Sequence, residues 1–214
     1  MIRKLGLALA AVLILYLAFL GWRIADERRG VAGKVDRLVA SADPAERSLP
    51  ANRIDALLRV EDPTFRTNKG IDLSTPGAGM TTLSQGLGKR LFFAGFEPGF
   101  QKLELMALTR FALVPSVPKD KILKAFIATA YLGTDRGRAV TGFADGARAW
   151  FGKPLSALTD REFLSLVAML PAPDRLKPGR GDGARAERVA RIERLLAGRC
   201  RPANLRDVDL KGCA

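Results

Sequence analysis

The chain is expected to be mainly α, with an N-terminal transmembrane helix, and three observations carry that expectation. Leu5 to Trp22, LGLALAAVLILYLAFLGW, is eighteen residues without a charge. Seven later segments repeat apolar residues at helical spacing, while the two-residue alternation of strands is nearly absent. Hydroxyl, glutamate, glycine and proline residues stand where helix ends need them.

Taken in order, the apolar run spans about 27 Å as a helix, just enough to cross a bilayer. Arg3, Lys4 and Arg23 can snorkel at its ends, and Trp22 is placed like an interface anchor. A cleaved signal peptide competes with this reading. Gly21-Trp22-Arg23-Ile24 offers no clear small-x-small cleavage site, which favours an uncleaved anchor over residues 1–23. Basic residues on both flanks leave the orientation open by charge alone. Residues 24–50 are charged and small, and Val31, Val35, Leu38 and Val39 suggest a short amphipathic helix or stalk.

From Asn52 helical patterns become dense: Asn52 to Glu61, Thr82 to Phe93, Gln101 to Val114, Lys119 to Leu132, Gly142 to Phe151, Thr159 to Leu170, and Ala184 to Ala197. Thr159 and Glu162 form a capping-box pattern, and Leu158 and Phe163 are placed to staple it. Pro171 follows that helix, and Gly133 and Gly198 stand where C-terminal caps belong. Residues 51–198 are thus expected as the folded domain and 199–214 as a tail.

Composition narrows the chemistry. Thirty-five Lys and Arg against 22 Asp and Glu give a formal charge of +13, which favours lipid headgroups, pyrophosphates or nucleic acid. The absence of histidine excludes histidine-ligated zinc, a Ser-His-Asp triad and a histidine general base. Arg185, Arg188, Arg191 and Arg194 recur every three residues, a period that walks around a helix. With Glu187 placed to pair Arg191, a solvated helix is expected and no nucleic-acid partner. Cys200 and Cys213 lack metal-knuckle spacing; they are a disulfide if that end is extracytoplasmic and two free thiols otherwise.

Acid–base work then falls to carboxylates. Ile54, Leu57 and Leu58 share one helix face, and the next position on that stripe is Glu61. Pro63 breaks the chain just after it. Glu104 likewise interrupts an apolar stripe, with Ala107, Leu108 and Phe111 following at helical spacing. Two such glutamates suggest a carboxylate pair in a cleft; the alternative is that each answers a buried arginine or caps a helix. Thr81-Thr82-Leu83-Ser84-Gln85 reads as a hydroxyl-rich helix start, suited either to an anion or to ordinary capping. Gln85 and Lys89 share a face, and Gly86 and Gly88 each cost a helix about 1 kcal/mol, a sign of close approach or mobility.

The order of these motifs resembles the peptidoglycan glycosyltransferases, family 51 of the glycosyltransferases, in their monofunctional membrane-anchored form. The family's E-D-x-x-F-x-x-H-x-G is matched by Glu61, Asp62, Phe65 and Gly70, with Asn68 in place of histidine. Its G-x-S-T-I-T-Q-Q-x-x-K-N is similar to the stretch from Gly79 and Met80 through Arg90, keeping Thr82, Gln85 and Lys89 while Thr81, Ser84, Gly86 and Arg90 depart. Of R-K-x-x-E only Glu104 survives, because Phe100 and Gln101 hold the basic positions. KILKAFIATAYLG, GFADGARAWFGKP and LTDREFLSLVAMLPAP then follow in the family's order, with Ala128 at a usual asparagine.

The resemblance implies a lysozyme-like helical glycosyltransferase domain on the outer face of the bacterial cytoplasmic (inner) membrane, single-pass and periplasmic, without a penicillin-binding domain. It implies lipid II and a lipid-linked glycan strand as partners, β-1,4 polymerisation, and release of polyprenyl pyrophosphate. Glu61 is implied as general base. Glu104, Lys89, Gln85 and Thr82 are implied to position the donor, with Asp62 and Phe65 in the same site and Lys102 or Arg90 compensating for the missing basic pair. No cofactor is required by the sequence; a divalent cation, Mg²⁺ or Mn²⁺, is left open, as are cell-wall synthesis proteins as partners. The departures at 68, 86, 100 and 101 sustain a second expectation, a weak or inactive lipid II-binding scaffold. A glycan hydrolase and an unrelated basic membrane module are the remaining readings.

Overall fold

A computed structural model describes residues 2–77 and 81–214. Met1, and the Gly79 and Met80 of the second motif with the end of its glycine-rich loop, lie outside the described residues. In chain order the helices are α1 (Ile2–Ser41), α2 (Pro44–Arg47), α3 (Ala51–Glu61), α4 (Leu83–Phe92), α5 (Phe100–Leu108), α6 (Val114–Ser116), α7 (Lys119–Thr129), α8 (Phe143–Phe151), α9 (Asp160–Met169), α10 (Pro173–Leu176) and α11 (Asp182–Leu196). A π-turn at Thr109–Leu113 joins α5 to α6, and a two-stranded hairpin, β1 (Tyr131–Asp135) and β2 (Arg138–Thr141), sits between α7 and α8.

The apolar stretch of α1 is long enough to cross a membrane, and none of it is buried in the protein. The segment after it is not a separate stalk helix. α1 runs unbroken to Ser41 because no proline or capping residue interrupts it, and Val31 and Val35 are fully buried against the body. The apolar run and the folded body therefore share one continuous helix, packed along α7 and the π-turn.

α9 is the central post, packed on α3, α8 and α11. Its Phe163, Leu166 and Val167 are buried, each worth about 1.5–3 kcal/mol of transfer. Its start is built as the sequence predicts: the Thr159 side chain accepts from the Glu162 N–H, Glu162 reaches back to the Thr159 N–H, and Leu158 and Phe163 are both buried. A second capping box, Asp43 with Glu46, starts α2, and its Glu46 also accepts the Ala144 N–H at 2.8 Å, tying α2 to α8.

Two local expectations are corrected. α7 ends at Thr129, not Leu132, and the chain turns into the hairpin, so Gly133 is no helix cap. Its φ of +98° instead serves the irregularity in the ladder between Tyr131 and Thr134. The hairpin closes through Arg136 and Gly137, both at positive φ, the two-residue turn that matches strand twist. Gly198 does stand one residue past the C-cap of α11, at φ +70°.

Candidate active site

α3 delivers Glu61 as its last residue, and the helix stops there because Asp62 turns away at φ −158° and Pro63 has no N–H to continue the ladder. The Asp62 carboxylate, fully buried, then accepts the Leu83 N–H at 2.9 Å and the Asn68 side-chain amide at 2.7 Å. One carboxylate thereby welds the end of α3 to the start of α4. Thr82, the N-cap of α4, accepts from the Gln85 N–H at 3.2 Å and donates to the Gly70 carbonyl at 2.9 Å. Phe65 is buried beneath, with the Lys119 ammonium 4.6 Å from its ring centroid.

Asn68, where the resembling family carries histidine, has a structural job of its own. Its carbonyl oxygen accepts the Gly70 N–H at 2.9 Å and the Lys119 ammonium at 3.1 Å, while its amide donates to Asp62. Gly86 is similarly explained: a Cβ there meets the Phe126 ring at 2.9 Å, so the aromatic ring fills the space that a side chain at 86 needs.

Above this seat opens a cleft of about 650 Å³. Glu61, Thr81, Thr82, Lys89, Arg90, Tyr131 and Arg188 give it polar groups, and Phe93, Phe96, Phe126 and Val208 give it apolar wall. Burial pushes the Glu61 carboxyl up to about 7, against the opposing pull of the Arg188 guanidinium, with Asp62 adding a smaller push upward. Burial likewise raises Asp62 to about 6, opposed by the Leu83 N–H and Lys119. Lys89, whose ammonium lies 5.1 Å from the Phe96 ring centroid, is shifted down by burial, as is Arg90. The cleft thus joins a carboxylate poised near neutrality to a set of partly dehydrated cations.

The other expected residues lie around this cleft rather than in its lining. Gln85 is buried, and its side-chain oxygen accepts from Lys102 at 2.7 Å; Lys102 also donates to the Thr81 hydroxyl at 3.1 Å. Lys102 is brought down to about 8 by burial and by the charge of Lys89. Glu104 accepts from Arg23 of α1, whose second nitrogen donates to the Phe92 carbonyl at 2.8 Å and whose guanidinium lies 5.4 Å from the Phe93 centroid. Both glutamates meet cations. Each answers an arginine, Glu104 with Arg23 and Glu61 with Arg188 at 3.5 Å.

Arg188 is the residue that the sequence reading missed. α11 is not a uniformly solvated helix: Arg188 is 4% exposed and falls on the stripe of Val189 and Ile192, which are buried. The signal was available, since residues 188, 189, 192, 195 and 196 share one face. Glu187 does pair with Arg191, at 3.0 Å. The sequence places Arg23 only at a helix end beside the membrane, and no pattern marks Lys119 or Tyr131.

Among the described residues no three of His, Cys, Asp and Glu converge as metal ligands. The carboxylates of Glu61 and Glu104 each face a guanidinium group.

A family model described as Transglycosylase matches residues 35–197. Penicillin-binding protein 1B of Vibrio cholerae is 30% identical over 144 residues, covering 61% of this chain and 18% of the relative. A Cupriavidus necator protein whose name also carries the word transglycosylase is 28% identical over 160 residues, 69% of this chain and 68% of its own length. Biosynthetic peptidoglycan transglycosylase of Burkholderia cenocepacia is 28% identical over 154 residues, 66% of this chain and 61% of the relative. The chain thus spans under a fifth of the first of these and about two thirds of the other two.

Proposed function

The chain belongs to the transglycosylase family, and from that premise we propose that it is a membrane-anchored peptidoglycan glycosyltransferase that polymerises lipid II into β-1,4 glycan strands. The observation that carries the reading is the place of Glu61, in a cleft lined by Lys89, Arg90 and Arg188, where burial raises its carboxyl to about 7. A general base works best with a pKa near the working pH.

In this reading Glu61 takes the proton from the acceptor sugar's 4-hydroxyl as that oxygen bonds to the anomeric carbon of the donor chain. The bond from that carbon to the pyrophosphate oxygen breaks, and the polyprenyl pyrophosphate leaves with the electron pair. Lys89 and Arg90 stabilise the negative charge gathering on the leaving group, an effect strengthened where water is excluded. Lys102, held against Gln85 and Thr81, supplies the positive charge that Phe100 and Gln101 do not. Glu104 acts at one remove, by fixing Arg23 and hence the anchor helix against α5. The exposed apolar half of α1 holds this cleft at the outer face of the cytoplasmic membrane, where lipid-borne substrate is presented.

The test is incubation of the detergent-solubilised chain with labelled lipid II, with and without Mg²⁺ or Mn²⁺, since a cation carried by the pyrophosphate itself needs no protein ligand. Polymer ladders cleaved by a muramidase support the reading. Intact lipid II under every condition refutes it.

A further inference from the structure

Beyond residue 197 the chain does not fray. Cys200 and Cys213 are disulfide-bonded, and Leu210 and Cys213 are buried in the core. The Asp207 carboxylate gathers three backbone N–H groups, Ala203 at 2.9 Å, Lys211 at 2.6 Å and Gly212 at 2.9 Å. This closed segment lies along the arginine face of α11: Arg191 donates to the Asp209 carbonyl at 3.3 Å and Arg194 to the Cys213 carbonyl at 2.6 Å. It also reaches the cleft, where Val208 forms part of the wall.

Its effect on Arg188 is specific. One terminal nitrogen of that guanidinium donates to the Val208 carbonyl and lies 3.9 Å from the Asp209 carboxylate. The other stands 3.5 Å from Glu61. A full arginine–carboxylate pair closes to about 2.7–2.9 Å and is frequently bidentate, with two parallel N–H···O bonds. Here the Arg188 Nε is buried and, among the described residues, has no hydrogen-bond partner. The guanidinium therefore bridges the two, one terminal nitrogen on the tail's Val208 carbonyl and the other in a long single hydrogen bond to Glu61.

We propose that the disulfide-closed segment 199–214 is a restraint on Arg188, holding its guanidinium short of full pairing with Glu61 so that the carboxylate stays free to accept a proton. The proposal rests on the reading of Glu61 as the base, and it makes Arg188 a positioning residue and the tail its holder. Loss of the tail contacts lets the guanidinium swing onto Glu61 and lets water reach both, and each change favours the ionised, less basic carboxylate. Loss of the Arg188 charge acts the opposite way. The other groups facing the pair are few: Asp62 beside Glu61, Lys89 and Arg90 from α4 and Tyr131 from β1 across the cleft, and Asp209 and Arg191 beside Arg188. None of them is altered by opening the tail except Asp209, which belongs to it, and Arg191, which donates to it.

The experiment is a carbon-13 NMR titration of the Glu61 carboxyl in the full chain in detergent, labelled at glutamate and assigned with Glu61→Gln. It needs no substrate, so its outcome is separate from the lipid II assay. Three proteins are compared: wild type, Arg188→Gln, and a tail-opened form made as Cys200→Ser with Cys213→Ser. The expected result is opposite movement, the Glu61 midpoint rising by about one pH unit in Arg188→Gln and falling by about one in the tail-opened form. Asp207→Ala loosens the same tail with the disulfide intact and is expected to move the midpoint down as well, so the test survives if the double-serine chain does not fold. An unmoved midpoint in the tail variants, or movement in the same direction as Arg188→Gln, overturns the proposal.

Discussion

Glu61→Gln is expected to change how the stability of this protein depends on pH, by an amount that follows from burial of the carboxyl. The group goes from an ordinary 4.5 to about 7 on folding, with its side chain 19% exposed in the cleft. A carboxyl whose folded-state value is raised binds its proton more tightly in the folded chain. It therefore costs nothing below the unfolded value, costs progressively more as pH rises from 4.5, and reaches its full cost above about 7. At about 1.36 kcal/mol per pH unit, that interval is worth about 3 kcal/mol. Urea unfolding of wild type and Glu61→Gln in the same detergent, followed by Trp150 fluorescence on both sides of the interval, reads it. The stability advantage of the variant should grow by about 3 kcal/mol from the acidic to the alkaline side. The comparison across pH cancels the fixed cost of leaving Arg188 without a carboxylate. Parallel pH profiles for the two proteins would refute the argument that burial sets the charge of Glu61.

Three other outcomes are expected. Thr82→Val keeps the shape of the side chain but removes both the cap on α4 and the donor to Gly70, and should lower unfolding free energy by about 1–2 kcal/mol in a denaturant titration. Gly86→Ala forces a methyl against the Phe126 ring, a cost of about 1–3 kcal/mol offset by about 1 kcal/mol of helix propensity. In a Phe126→Leu background the same change should be stabilising, and a double-mutant cycle of unfolding free energies measures the difference. Reduction of the Cys200–Cys213 disulfide, whose loop spans a sequence separation of 13, should lower stability by about 3 kcal/mol, checked by melting with and without dithiothreitol.

The helical body was legible from periodicity because its cores and caps are local. α3, α4, α8 and α9 begin and end within a residue or so of the apolar stripes and capping residues that announce them. The hairpin was not legible: the apolar phase of α7 carries on through Ala130 and Tyr131, no proline stops it, and each strand is too short to show alternation. Around the cleft, the stripe that aimed Glu61 inward also predicted its burial. What periodicity could not supply was which cation meets which anion. Arg23 reaches Glu104 across 81 residues and Arg188 reaches Glu61 across 127, pairings set by how whole helices dock. Arg188 in particular was hidden by its own helix, where four arginines at three-residue spacing look solvated until packing singles out one.

Two departures from the resembling family's motifs also acquire reasons. Asn68 hydrogen-bonds at once to Asp62, Gly70 and Lys119, and Gly86 yields its space to Phe126, so both substitutions are embedded in a packed site.

The most direct test of the account is the turnover of labelled lipid II by Glu61→Gln against wild type at matched lipid II binding. The account predicts that the wild type makes polymer, and that the variant binds the lipid as well but loses about 10²–10⁴-fold in rate, the range of a general base. A variant that polymerises at the wild-type rate would contradict the assignment of Glu61 as the base on which the whole reading is built.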